Sequence, residues 1–192
     1  TSNLFDTTRG AKNTSLIFWS DNHGLWVDPL IGWRAQLAAK SLTSRQIDAF
    51  FLTHVHPDHV YGLLEIVFEK ITKRQKVKVF THSVVGTLFL ELFFLYFAPA
   101  VREKELTKYL EFNFIDAGAD FFGSRLTPFY SLHSLPTVGF MAERKGRSIG
   151  FTSDHCHHEP TFATLEKYLL DRHCPPAVVS ARLASLRRGL ST

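Results

Sequence analysis

The chain has 192 residues, 45% of them hydrophobic and 18 of them Phe, with a formal net charge of +4. Length and apolar content support one domain with a substantial core and exclude a disordered chain. The basic residues are dispersed, so the charge favours anionic partners only weakly, and two cysteines, Cys156 and Cys174, give no disulfide framework and favour a reducing cytoplasm.

In chain order, the polar start TSNLFDTTRG has no secretory h-region. TSLIFW (14 to 19) and GLWVD (24 to 28) read as paired strands around the turn residues SDNHG. WRAQLAAKSL (33 to 42) has helical spacing, DAFFLT (48 to 53) reads as a buried strand, and VYGLLEIVFEKI (60 to 71) as an amphipathic helix. VKVFTH (77 to 82) is another strand. The run TLFLELFFLYFA (87 to 98) contains Glu91 and is too short to span a bilayer, so it reads as a buried or capped core helix. An exposed face on it would suit a homodimer. VREKELTKYL (101 to 110) is a charged helical stretch. EFNFID, RLTPFYSL, TVGFMAER and RSIGFTS then alternate like strands, with Lys145-Gly146 as a tight hairpin turn. FATLEKYLLDR (162 to 172) is helical, and PAVVSA (176 to 181) reads as a last short strand. Helices mixed with strands in this way predict a layered α/β fold over a single domain, residues 1–192.

The chemistry concentrates in FLTHVHPDHVYGLLEI (51 to 66). His54, His56, Asp58 and His59 fall within six positions, between a predicted strand and a predicted helix. Alternation along the strand puts His54 and His56 on one side, Pro57 ends the strand, and Asp58 and His59 start the next element from the adjoining turn. Gly62 would let that helix sit close to the strand's end. Imidazoles beside a carboxylate suit zinc, iron or manganese, whereas a decorated surface loop is a poor account of so dense a cluster.

THVHPDHVYG resembles the HxHxDH signature of the metallo-β-lactamase superfold. The resemblance extends along most of the chain. LIFWSDNHGLWVDP is similar to the strand pair that precedes the signature and ends in an Asp, here Asp28; LTPFYSLHSLPTVGF to the segment with the third histidine, here His133; and SIGFTSD to the strand ending in the metal-bridging aspartate, here Asp154. The resemblance implies a four-layer αββα sandwich with up to two metal ions, most commonly zinc, at one edge. His54, His56 and His133 would hold one ion, Asp58 and His59 the other, with Asp154 between them. Asp28 would orient a ligand from behind. The wording around His133 (Ser134, Pro136, Thr137, Gly139, Phe140) looks most like the phosphodiesterase branch, which includes ribonuclease Z and cyclic-nucleotide phosphodiesterases. Two metals roughly 3.5 to 4 Å apart hold a hydroxide and clamp phosphoryl oxygens during in-line attack. Asp58 would then orient the nucleophile and take its proton as the catalytic residue. The implied substrate is a phosphodiester-containing small molecule or RNA. A lactone or thioester hydrolase with the same centre, and a catalytically impaired domain that binds metal or nucleic acid, are the alternatives.

Two departures from the family pattern stand out. The family's final metal-binding histidine has no counterpart between Pro175 and Thr192, which a truncated domain or a diverged subfamily would explain. DHCHHEPTF offers His155 and His157 as substitute ligands, with exposed loop histidines as the competing reading. Its His158, Glu159 and Thr161 resemble the proton-donor motif of ribonuclease Z, but they follow Asp154 too soon, so coincidence is the safer reading. His23, His82 and His173 stand alone and read as structural or surface residues. There is no GxxxxGK loop, GxSxG elbow or CxxC pair, and KRQKVK (73 to 78) could touch a phosphate backbone.

Overall fold

The computed structural model describes residues 15–97, 103–131 and 133–154, together with Lys167, Pro176, Ala177, Ser180 and Ala184. β1 (Leu16–Ser20) and β2 (His23–Val27) form the predicted antiparallel pair, then α1 (Trp33–Ala39) leads through a short 3-10 turn to β3 (Ile47–Phe51). α2 (Pro57–Thr72), β4 (Val77–Thr81), α3 (Ser83–Phe97), α4 (Glu103–Tyr109) and β5 (Leu110–Phe114) complete a first layer pair. The sheet order is β1-β2-β3-β4-β5, parallel from β2 onward. β6 (Ala119–Phe121), β7 (Ser124–Ser131), β8 (Thr137–Arg144) and β9 (Arg147–Phe151) form a second, antiparallel sheet in chain order.

The two sheets face each other across an aromatic core. Phe51 of β3 and Phe140 of β8 have ring centroids 4.7 Å apart, and Phe18, Phe80 and Phe121 add tilted and edge contacts across the same gap. Helix α2 covers the other face of the first sheet, burying Val60, Leu63, Leu64, Ile66, Val67 and Ile71 and packing on α3, α4 and β4. This is the predicted α/β sandwich; the expectation of a second outer helical layer falls largely on residues outside the described ones.

Several expectations need correcting in detail. Helix α2 begins three residues before the predicted 60, because Pro57 has its fixed φ and missing N–H at the first helical position, where neither is a cost. α1 ends at Ala39 rather than Leu42; Ser41 takes a left-handed φ of 56° and the chain turns there. β6 is only three residues long, too short for an alternation to register. PAVVSA is not a strand: Pro176, Ala177 and Ser180 are helical. A proline suits a first turn and Ala is a strong helix former, so the two valines misled. Of FATLEKYLLDR only Lys167 is described, and it is helical. Gly62 does permit a close approach, but to the loop after β2: a Cβ there would lie 1.9 Å from the Pro29 carbonyl oxygen.

All four parallel strands end at one edge of the sandwich, and the chain between β8 and β9 places its turn, Lys145-Gly146, at the other. Both turn residues have positive φ, 49° and 72°, as a two-residue hairpin of the primed type requires.

Candidate metal centre

The segment from Thr53 to His59 leaves β3 at the edge of the sandwich. His56 is the N-cap of α2 in extended conformation, and its carbonyl accepts from His59 N at 2.9 Å and Val60 N at 3.0 Å. Asp58 and His59 therefore sit in the first helical turn, where the exposed N–H groups favour a carboxylate. His133 arrives from the β7–β8 connection and Asp154 from the end of β9. Val138 N donates to Thr53 O at 3.0 Å, which brings the second sheet onto the end of β3.

Thr53 organises the site from beneath. Its backbone N–H donates to Asp28 Oδ1 (2.9 Å), and its hydroxyl donates to Asp28 Oδ2 (2.6 Å). That hydroxyl has two lone pairs left, which are taken by Ser153 Oγ–H at 2.7 Å and by His54 Nδ1–H at 2.9 Å. His54 must therefore carry its proton on Nδ1, turning the Nε2 lone pair into the site. Asp28 likewise fixes His59, accepting from Nδ1 at 2.9 Å and leaving Nε2 to face Asp58 (3.8 Å) and Asp154 (3.5 Å). Asp28 and Ser153 both adopt left-handed φ, 46° and 58°, where the chain leaves β2 and β9. Non-glycine residues in that region cost energy that the surrounding contacts must offset.

Three imidazole nitrogens converge. His56 Nδ1 lies 3.0 Å from His54 Nε2 and 2.8 Å from His133 Nε2, and Ser134 Oγ reaches His56 Nε2 at 3.4 Å. Such spacing fits donors around one divalent ion, with bonds of about 2.0 to 2.1 Å. Asp154 stands between the two groups, Oδ2 facing His133 at 3.8 Å and Oδ1 facing His59 at 3.5 Å. Asp28, His54 and His59 also lie within 4.8 Å of one another, but Asp28 is wholly buried and already holds Thr53 and His59. Its carboxylate oxygens are thereby engaged with Thr53 and His59.

The electrostatics agree with a site built for cations. Burial, then the neighbouring His59, His133 and His56, pushes the pKa of His54 down to about 2, so its lone pair stays available. His133 is lowered as well, by burial and by His56. Burial is also the largest influence on His59 and pulls it down, but the hydrogen bond and charge of Asp28, with Asp154 and Asp58, outweigh it and raise the pKa. Asp28 is raised by burial, against the pull of His59 and Thr53.

All six predicted ligand residues thus meet at one edge, with Asp28 behind them. His155 and His157, the proposed substitutes, lie outside the described residues, as do Cys156, His158, Glu159, Thr161 and His173. The sequence reading missed Thr53 and Ser153, and named Ser134 only for its resemblance to the phosphodiesterase branch. Each stands directly beside a ligand in the chain, and that adjacency was the available signal.

A parallel-edged sheet facing an antiparallel one, with a His/Asp cluster where their edges meet, defines a metallo-β-lactamase fold. The chain is similar to YhfI of Bacillus subtilis, a metallo-β-lactamase fold protein, at TM-score 0.58 and 15% identity over 81% of this chain and 59% of that one. It is similar to human tRNase Z, short form, at TM-score 0.54 and 16% identity over 79% of this chain and 66% of that one. Residues 3–174 match the family of the Anti-Pycsar protein Apyc1, and the chain belongs to that family. A cAMP/cGMP-dependent 3',5'-cAMP/cGMP phosphodiesterase B of Dictyostelium discoideum is 27% identical over 165 residues. That match covers 85% of this chain and only 14% of the relative's length.

Proposed function

We propose that the chain is a metal-dependent phosphodiesterase acting on a nucleotide. The observation that carries this reading is the meeting of His54 Nε2, His56 Nδ1 and His133 Nε2 within 3.0 Å steps, with Asp154 turned between them and His59. Family membership and the cyclic-nucleotide phosphodiesterase relative favour a phosphodiester over a lactone or thioester. The likeness to tRNase Z keeps RNA as a second substrate class.

His54, His56 and His133 would hold one ion, and Asp58, His59 and Asp154 a second, zinc being the metal that best suits three imidazoles and a carboxylate. When bound, such a pair supplies an activated water and neutralises phosphoryl charge. The chain's own work is to place those groups. Thr53 and Asp28 keep the protons of His54 and His59 on Nδ1, pointing both Nε2 atoms inward. Asp58, in the first turn of α2, would orient the attacking water and accept its proton. With only three protein ligands the second ion would bind more weakly than the first, unless His155 or His157 completes its shell.

No helix among the described residues is long and apolar enough to cross a membrane. The scarcity of cysteine supports a cytoplasmic setting. Val84, Leu95 and Tyr96, exposed on α3, support a homodimer surface, checked by sedimentation.

The test is a panel of bis-p-nitrophenyl phosphate, a cyclic nucleotide, a short RNA, a lactone and a thioester, run with zinc or manganese. Turnover of the phosphodiesters, lost in His56→Ala together with about one equivalent of metal, is the expected result. Turnover confined to the lactone or thioester would replace this reading, and silence on the whole panel would favour a binding domain without catalysis.

A further inference from the structure

The line along which the two sheets meet continues past the histidine cluster. At the cluster, the end of β3 meets β8 through Thr53 and Val138. β4 is the next strand beside β3, and β7 the next beside β8. One strand spacing along, about 4.8 Å, the corresponding crossing is made by His82, just after β4, and Tyr130 of β7, with Nε2 and Oη 2.7 Å apart. One strand further, Asp116 follows β5 and brings Oδ1 to 3.2 Å from the same His82 Nε2. The three side chains form a row along the edge that bears the ligands.

This row is held firmly at its far end. Asp116 accepts from Ser83 N at 3.0 Å and from Ser83 Oγ. Val84 N donates to His82 Nδ1 at 3.3 Å, so the proton of His82 is on Nε2, where Tyr130 Oη and Asp116 can both accept it. His82 is buried, whereas Tyr130 is 40% exposed. Core packing alone explains neither the carboxylate behind the imidazole nor the aromatic ring left at the rim.

The direction of a substrate follows from which flank is closed. On the β2 side Asp28 is wholly buried, and the Pro29–Leu30 backbone presses against α2 so closely that only Gly fits at 62. Among the described residues the flank toward β4 and β7 is open, with Tyr130 and the Asp116 side chain each 40% exposed there.

We infer that Tyr130 is the wall of the site that receives the nucleoside part of a nucleotide whose phosphoryl group lies at the histidine cluster, with His82 and Asp116 as positioning residues that fix the phenol. The inference rests on the phosphodiesterase reading above and adds to it the residue that separates nucleotides from simple phosphate esters. Packing of a base on an aromatic ring is worth about 5- to 140-fold in affinity.

Calorimetric titration of the zinc-loaded protein with inorganic phosphate and with adenosine monophosphate tests this. The parent should bind the nucleotide at least about fivefold more tightly than phosphate. Tyr130→Ala should bring the nucleotide down to the level of phosphate and leave phosphate unchanged. Tyr130→Phe, which keeps the ring but loses its link to His82, and Asp116→Asn should fall between. Circular dichroism and metal content identify a misfolded Ala variant, in which case the Phe variant decides. A parent that binds phosphate but shows no preference for the nucleotide overturns the inference, as does Tyr130→Ala weakening both probes equally, while the phosphodiesterase reading survives either result. A parent that binds neither probe overturns both.

Discussion

Thr53 carries one hydroxyl and four neighbours depend on it, directly or through its backbone: Asp28, His54, Ser153 and Val138. Replacing it with Val keeps the shape, removes three hydrogen bonds at once and leaves the buried Nδ1–H of His54 without its acceptor. Each unsatisfied buried group costs about 1 to 3 kcal/mol, so Thr53→Val should lower the unfolding free energy by about 2 to 4 kcal/mol, read from the urea midpoint at unchanged slope. A loss below about 0.5 kcal/mol would show that water replaces the hydroxyl. Asp28→Asn poses a different question, because it keeps a polar side chain and removes the charge that holds His59. Affinity for the second equivalent of metal should drop about ten- to hundredfold while the first is retained. Equal loss at both sites would mean that Asp28 supports the edge as a whole. His54, His56, Asp58 and His59 were legible in the sequence because they are neighbours in the chain. Thr53 and Ser153 were not, since they meet across 100 positions and neither residue type announces a ligand.

At the scale of elements, strand and helix types followed well from alternation and helical spacing, and the errors have physical causes. The 3-10 turn and β6 span three residues each, too short for a strand or helix pattern to repeat. PAVVSA reads as a strand by its valines, yet Pro and Ala suit a helix start, and only tertiary context decides. The pairing of two separate sheets could not be read from composition, because each strand's inward face is equally apolar. Gly62 joins element to site. Its missing Cβ lets the first turns of α2 lie against Pro29 and Leu30, and this contact sets where Asp58 and His59 stand. Gly62→Ala puts a methyl group 1.9 Å from a backbone oxygen, which no rotamer can relieve. Overpacking of this kind costs about 1 to 3 kcal/mol or more. Differential scanning calorimetry should show that loss together with weaker metal binding, despite the better helix propensity of Ala. A stabilised variant would show that α2 lies further from the β2 loop than a 1.9 Å approach implies.

For the whole molecule, acidity and metal loading act on the same histidines in opposing directions. In the unfolded chain His54 takes up a proton below about 6.5, its ordinary value, whereas in the folded protein it resists until about 2. Between those limits the unfolded state binds more protons, so His54 makes the metal-free protein less stable as the pH falls from about 6.5. His133, also lowered, acts in the same direction. His59 is raised, so it stabilises the metal-free fold fully below about 6.5, and that contribution is lost as the pH rises through its folded value. An ion at His59 must displace a proton that Asp28, Asp154 and Asp58 favour, whereas His54 offers a nitrogen already bare. Zinc should therefore leave in two steps on acidification, the equivalent at Asp58, His59 and Asp154 first, and the equivalent at His54, His56 and His133 at lower pH. Free zinc at a hundred times its Kd stabilises the native state by about 2.7 kcal/mol, or about 5 to 11 °C in Tm for a chain of this size. The gap in Tm between loaded and metal-free protein should accordingly be widest near pH 8 and narrow in stages toward pH 5. Chelator-competition titrations at each pH assign the steps, with Asp28→Asn moving only the first. Release of both equivalents together, or loss of the three-histidine equivalent first, would refute the unequal roles assigned to His54 and His59.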